Sequence, residues 1–199
     1  MSFTALNLHP TLLRAVEALG FTAPTPIQRE AIPPVRAGGV VLASAMTGSG
    51  KTAAFILPII ERLMTKPRGV TRALVIAPTR ELAAQIEADL RDLARFTPVR
   101  GATVFGGVGM GPQESALRRG VDVIVATPGR LLDHMQYPYA RLDGLEILVL
   151  DEADRMLDMG FLPDIRRILG RLPRQRQTLL FSATMPAAIA ALAREFLRD

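Results

Sequence analysis

The chain has 199 residues, 49% of them hydrophobic, and a formal charge of +5 carried almost entirely by arginine, since Lys51 and Lys66 are the only lysines. That length suits one sizeable core and a single domain, and the absence of cysteine excludes disulfides and thiolate metal sites. No run of eighteen apolar residues and no signal-peptide pattern occurs, so the expected location is cytoplasmic, away from any membrane.

Residues 1–38 are weakly periodic and carry the turn signals PTPIQ and IPP, which predicts a cap packed on a sheet domain spanning 39–199, the two forming one structural domain. VVLASA (40–45) reads as a buried strand, followed by the loop within ASAMTGSGKTAAF (43–55) and a helix from Ala53 to Met64. RALVIAP (72–78) is the next candidate strand. After it Leu82, Ile86, Leu90 and Leu93 recur at helical spacing through 79–96. Four further candidate strands are VRGATVFG (99–106), VDVIVATP (121–128), LEILVLD (145–151) and QTLLFSAT (177–184). Short apolar runs alternating with helical patterns predict an α/β fold, a parallel sheet with helices on both faces. The strands end where TGSGKT, TRE, FGG, ATPGR, DEAD and SAT begin, so these segments should converge on one edge of the sheet.

Their residue types suit nucleotide chemistry. Gly48 and Gly50 allow positive φ and a nest of inward N–H groups for phosphate oxygens. Lys51 adds a point charge, Thr52 a hydroxyl for Mg²⁺, and the following helix the positive end of its dipole. Asp151, after an apolar strand, can hold the metal partly through water, and Glu152 is placed to polarise the attacking water. Taken alone, DEAD would read as an acid-rich helix start. His9 and His134 lack ligand spacing and read as surface or packing residues. The arginine-rich stretch 166–177 reads as a solvated face.

The loop departs from G-x-x-x-x-G-K-[ST] by opening on Ala45, and A-x-x-G-x-G-K-[ST] together with VLDEAD resembles the first RecA-like domain of DEAD-box RNA helicases. The resemblance covers nearly the whole chain. It implies ATP and Mg²⁺ as cofactors, with Ala45, Thr47, Gly48, Ser49, Gly50, Lys51 and Thr52 around the phosphates. GFTAPTPIQ (20–28) looks like the Q motif, in which Phe21 stacks on adenine and Gln28 reads its N6/N7 edge, implying ATP rather than GTP; Phe3 matches the family's isolated upstream aromatic. PTREL with Pro78, Thr79 and Arg80, the doublet Gly106 and Gly107, and TPGR with Thr127, Pro128, Gly129 and Arg130 correspond to contacts with an RNA sugar–phosphate backbone. Each of these alone would more readily be a cap or turn. Ser182 and Thr184 of SAT correspond to partners of Asp154 that couple ATP state to RNA work, and both are also candidate caps for a helix near Pro186.

In the family a second RecA-like domain brings arginines of an HRxGR-type segment, and none occurs in these 199 residues. The expectation is therefore a monomeric fragment, weakly active or inactive alone, whose full enzyme remodels RNA. An ATP-gated RNA-binding adaptor is the alternative from another class, and a P-loop ATPase acting on DNA or protein is a third.

Overall fold

The computed structural model describes residues 1–197; the last two positions of the expected 39–199 domain lie outside the described residues. Each of the six apolar runs contains a short strand: β1 (Val41–Ser44), β2 (Ala73–Ile76), β3 (Gly101–Val104), β4 (Val123–Ala126), β5 (Ile147–Leu150) and β6 (Gln177–Ser182). They form one parallel sheet in the order β1-β6-β5-β2-β4-β3. A parallel pair needs a crossover, and the helices supply it: α1 (Pro10–Ala18) and α2 (Pro26–Arg36) precede the sheet, and α3 (Lys51–Leu63), α4 (Arg80–Leu93), α5 (Met110–Arg119) and α6 (Pro128–Met135) alternate with its first strands. Two short helices, α7 (Ala153–Asp158) and α8 (Leu162–Leu169), separate β5 from β6, and α9 (Ala187–Phe196) follows.

Successive strand residues point to opposite faces, and each face has its own apolar layer. Ala73, Val75, Val123, Val125, Ile147, Val149, Leu179 and Phe181 pack with Leu12, Ile32, Phe55 and Ile86 of α1 to α4. Leu74, Ile76, Ile124, Leu148, Leu150 and Leu180 pack with Leu131, Met156, Ile165 and Ile189 of α6 to α9. Strands buried on both faces read as continuous apolar runs, which is why four of them are conspicuous in the sequence. β1 departs from the expectation of a buried strand. It is an edge strand whose Leu42 is 49% exposed, because its outer face carries no helix among the described residues.

Phe3, Leu6, Leu8 and Val16 of the N-terminal region belong to the same layer as α3 and β6. Buried Gln177, the first residue of β6, donates from Nε2 to Val35 O at 2.9 Å and Gly39 O at 2.7 Å. Those bonds tie the end of α2 to the sheet. Helix α3 is buried along most of its length and meets β6 through Phe55 and Phe181, ring centroids 5.3 Å apart at 51°. Phe181→Ala should cost about 3–5 kcal/mol of stability in urea unfolding, the range for emptying a buried aromatic site; a change within about 0.5 kcal/mol would contradict the packing described.

Candidate functional site

Parallel register places Ser44 beside Ser182, Leu150 beside Ile76, and Val104 beside Ala126, so the segments that follow all six strands leave from one edge. Between β1 and α3, Gly48 and Gly50 take φ of +81° and +83°, as the nest geometry requires. Gly50 has a second reason to lack a side chain: a Cβ there would lie 2.6 Å from Gln28 Nε2 and 2.8 Å from Thr25 Oγ1. Gln28 donates to Gly50 O at 3.0 Å and accepts from Thr25 N–H at 3.0 Å, clipping the start of α2 onto the loop. The adjoining cavity, about 310 Å³, is lined by Phe21, Gln28, Thr47, Gly48, Gly50, Lys51 and Thr52, and extends past Glu152 to Leu82, Gln85 and Asp89. Phe21 stacks on Phe3 at 6.4 Å and 23° and stays 44% exposed at the cavity wall. Ala45 is packed in the core, and Ser49 Oγ is buried without a hydrogen-bond partner.

Lys51, the expected point charge for the phosphates, is enclosed by carboxylates. Lys51 is 5% exposed, with Nζ at 3.0 Å from Asp151 Oδ1 and 3.3 Å from Glu152 Oε1. Glu152 Oε1 also accepts from Thr47 Oγ1 at 3.2 Å, and Oε2 pairs with Arg155 at 3.4 Å, so the carboxylate is held by three side chains. Glu152 reaches them from a left-handed conformation, φ +52°, which costs a residue with a Cβ about 1–2 kcal/mol. Burial pushes the Asp151 carboxyl above the usual range, against the pull of the Lys51 ammonium. Asp151 Oδ1 accepts the Glu152 N–H at 2.9 Å, whereas buried Oδ2 has no partner. An unpartnered oxygen on the carboxylate that pairs with Lys51, the residue before Thr52 and after the glycine turn, fits a hydrated divalent cation that takes its other ligands from phosphate. No group of three or more His, Asp or Glu side chains able to hold a metal alone occurs among the described residues.

Asp154 Oδ2 accepts from Thr184 N–H at 3.0 Å and from its hydroxyl at 2.9 Å. Ser182 Oγ accepts from Asp154 N–H at 3.1 Å and donates to Thr184 O at 2.6 Å. Burial would raise the Asp154 carboxyl, but the bonds from Thr184, the Arg155 N–H and Ser182 together outweigh it and hold the group below the usual range. The expected capping role of Ser182 and Thr184 is not realised. Pro186 stands at the N-cap of α9 without a side-chain bond, because both hydroxyls serve the Asp154 link.

Further along the edge, Thr79 caps α4 by accepting Leu82 N–H at 3.2 Å, with buried Pro78 before it. Exposed Arg80 covers Gly107, φ +81°, so closely that a Cβ on Gly107 would collide with its guanidinium. Gly106 is half-buried beside it. Thr127 and Pro128 open α6, with Gly129 exposed. Arg130, expected at an RNA backbone, is 15% exposed and donates from Nη1 to Val108 O at 2.8 Å and Gln113 Oε1 at 3.3 Å. Gln113 itself was not singled out by sequence, although a glutamine on the buried face of α5, in line with Ala116 and Leu117, is a readable signal. His134 is buried packing, as expected, and exposed His9 caps α1 through Thr11 N–H. In the arginine-rich stretch, Arg166 pairs with Glu195 and Arg167 with Asp164, while Arg176 bonds Pro173 O.

The DEAD/DEAH box helicase family model matches residues 25–192. The chain is 50% identical over 194 residues to DEAD-box ATP-dependent RNA helicase 28 of Oryza sativa subsp. japonica, covering 96% of this chain and 24% of that protein. The Arabidopsis thaliana protein of the same name is 48% identical, with 96% and 25% covered. The chain thus spans about a quarter of the length of these relatives. Among solved structures, a DEAD box protein from the hyperthermophile Methanococcus jannaschii superposes with a TM-score of 0.94 at 40% identity, covering 100% of this chain and 54% of that one. With the fold, the strand-edge motifs and the family match in agreement, this chain belongs to the DEAD/DEAH box helicase family and carries its RecA-like fold.

Proposed function

We propose that this chain binds ATP with Mg²⁺ and an RNA backbone, and forms one wall of an RNA helicase cleft. The observation that carries the reading is the buried Lys51, Asp151 and Glu152 cluster with its unpartnered Asp151 Oδ2, set beside the Gly48 and Gly50 turn. The relatives' names, ATP-dependent RNA helicases, support the same class of substrate.

In this reading the loop amides from Thr47 to Gly50 cradle the β- and γ-phosphates. An arriving phosphate competes with the carboxylates for Lys51. As Lys51 turns toward it, Glu152 loses one of its holders and can accept a proton from the attacking water. Thr52 and Asp151 would hold Mg²⁺, which when bound neutralises charge between the phosphates. Phe21 stacks on adenine. Gln28 keeps one amide hydrogen and one lone pair for the base edge, since its clip uses only one of each. RNA lies across Pro78, Thr79, Arg80, Gly106, Gly107, Thr127, Pro128 and Gly129, where two helix N-termini and an exposed guanidinium suit phosphates without reading sequence. Asp154 with Ser182 and Thr184 couples the two surfaces. Residues 1–38 and 39–199 act as one unit, monomeric and cytoplasmic, facing a second RecA-like domain that supplies arginines to the γ-phosphate.

Asp151→Ala should abolish the Mg²⁺-dependent part of nucleotide affinity, while Glu152→Gln should leave binding within about twofold, since the two act on metal and water respectively. Titration with fluorescent ADP and ATP, with and without Mg²⁺, checks this. Equal loss of binding in both folded variants would refute the division of roles.

The isolated chain should bind nucleotide but turn it over slowly and separate no duplex. Transition-state charge on the γ-phosphate needs groups already in place, and arginines of that kind are worth about 10³–10⁵ in rate in other NTPases. Steady-state ATPase and duplex unwinding, with and without RNA, are the measurements. Robust RNA-stimulated turnover that a Lys51→Ala control abolishes would overturn the need for a second domain.

A further inference from the structure

The 105–109 loop between β3 and α5 is pinned by side chains from three other elements. Gln113 of α5 donates from Nε2 to Phe105 O at 2.8 Å, Arg130 of α6 donates to Val108 O at 2.8 Å, and the Arg80 guanidinium covers Gly107. Two of these pins meet at one atom. Gln113 Oε1 accepts from Arg130 Nη1 at 3.3 Å and lies 2.9 Å from His134 Nε2. An amide oxygen can only accept, so that ring nitrogen carries a proton. Nδ1 of the neutral ring is then an acceptor, and the Tyr139 hydroxyl, 2.6 Å away, donates to it. Burial first, and the Arg130 charge second, push His134 below the ordinary imidazole range, against Asp133 and Glu114. Tyr139 is itself held by Arg118, whose guanidinium carbon sits 4.8 Å from the ring centre and which pairs with Glu114 at 2.7 Å.

The chain of bonds runs from a buried core position to an exposed glycine turn. Gln113 and His134 are both buried, and each polar atom of their side chains has a partner. A fully satisfied buried network fixes orientation, whereas a partly satisfied one is costly. Gln113 therefore has one rotamer that serves Phe105 O, Arg130 and His134 together. Its removal would release the Phe105 end of the loop directly and leave Arg130, which holds the Val108 end, with one acceptor fewer.

We propose that Gln113 and His134 are positioning residues that hold the 105–109 loop and Arg130 in the shape that receives a nucleic-acid phosphate backbone. The inference rests on the assignment of Gly106 and Gly107 to RNA. It makes Arg130 a strut for the loop, acting beside the groups that touch the ligand.

The experiment combines amide hydrogen exchange of residues 105–109 with two titrations, of fluorescein-labelled decauridylate at low salt and of fluorescent ADP. Gln113→Leu and His134→Leu should raise loop exchange about fivefold or more, the effect of one lost hydrogen bond, weaken decauridylate binding to a similar degree, and leave ADP affinity unchanged. His134→Gln, which restores a donor near the Nε2 position, should return exchange and RNA affinity toward wild type. Unchanged loop exchange in correctly folded Gln113→Leu and His134→Leu would overturn the proposal. Faster exchange with undiminished RNA binding, in a protein whose RNA affinity falls with Arg80→Ala, would overturn it while leaving the RNA surface intact. Failure of both wild type and Arg80→Ala to bind decauridylate would instead overturn the RNA assignment on which it rests.

Discussion

Lys51 stands at the first turn of α3 and its ammonium is buried between two carboxylates at the end of β5. Lys51, Asp151 and Glu152 share that space, Arg155 reaches Glu152 Oε2 from the exposed side, and one carboxylate oxygen is left with nothing to bond. Such a cluster is not arranged for stability alone: buried ion pairs are weak stabilisers, whereas leaving one member unpaired costs about 3–5 kcal/mol. In the proposed reading it holds a lysine in reserve for an anion and an oxygen in reserve for a cation. The surrounding elements bring Lys51 Nζ and Asp151 Oδ1, 100 residues apart in sequence, to 3.0 Å from each other.

The means are mostly clips between side chains and backbone. Gln28 ties α2 to the glycine turn, Thr184 ties the end of β6 to Asp154, and Gln177 ties the N-terminal helices to the sheet. Asp154 lies three residues after Asp151, so the Asp151 carboxylate and the Thr184 link share one short segment at the start of α7. In the proposed reading, a change at the phosphates has only that segment to cross before it reaches the Thr184 link at the end of β6.

Strands were readable because a two-faced parallel sheet demands unbroken apolar runs, as in ALVI of β2 and ILVL of β5. They are shorter than the runs suggested, since Pro78, Gly106 and Thr127 belong to the turns that make the site. The exposure of Leu42 was hidden because edge position depends on strand order, which no local pattern records. The residue types of the phosphate loop were legible, and so were its positive-φ glycines. The partners of Lys51, the inward turn of Arg130 and the left-handed Glu152 were not, because each depends on an element distant in sequence.

Lys51 serves carboxylates in this structure and, in the proposed reading, phosphate once nucleotide is bound. Thermal unfolding of wild type and Lys51→Ala, each with and without saturating Mg²⁺–ADP, tests this most directly. Wild type should gain about 2.7 kcal/mol at a ligand concentration of 100 Kd. Lys51→Ala should melt lower without ligand, having left Asp151 and Glu152 facing each other, and should show no nucleotide-dependent shift. A Lys51→Ala protein as stable as wild type, or one stabilised equally by Mg²⁺–ADP, would contradict the account.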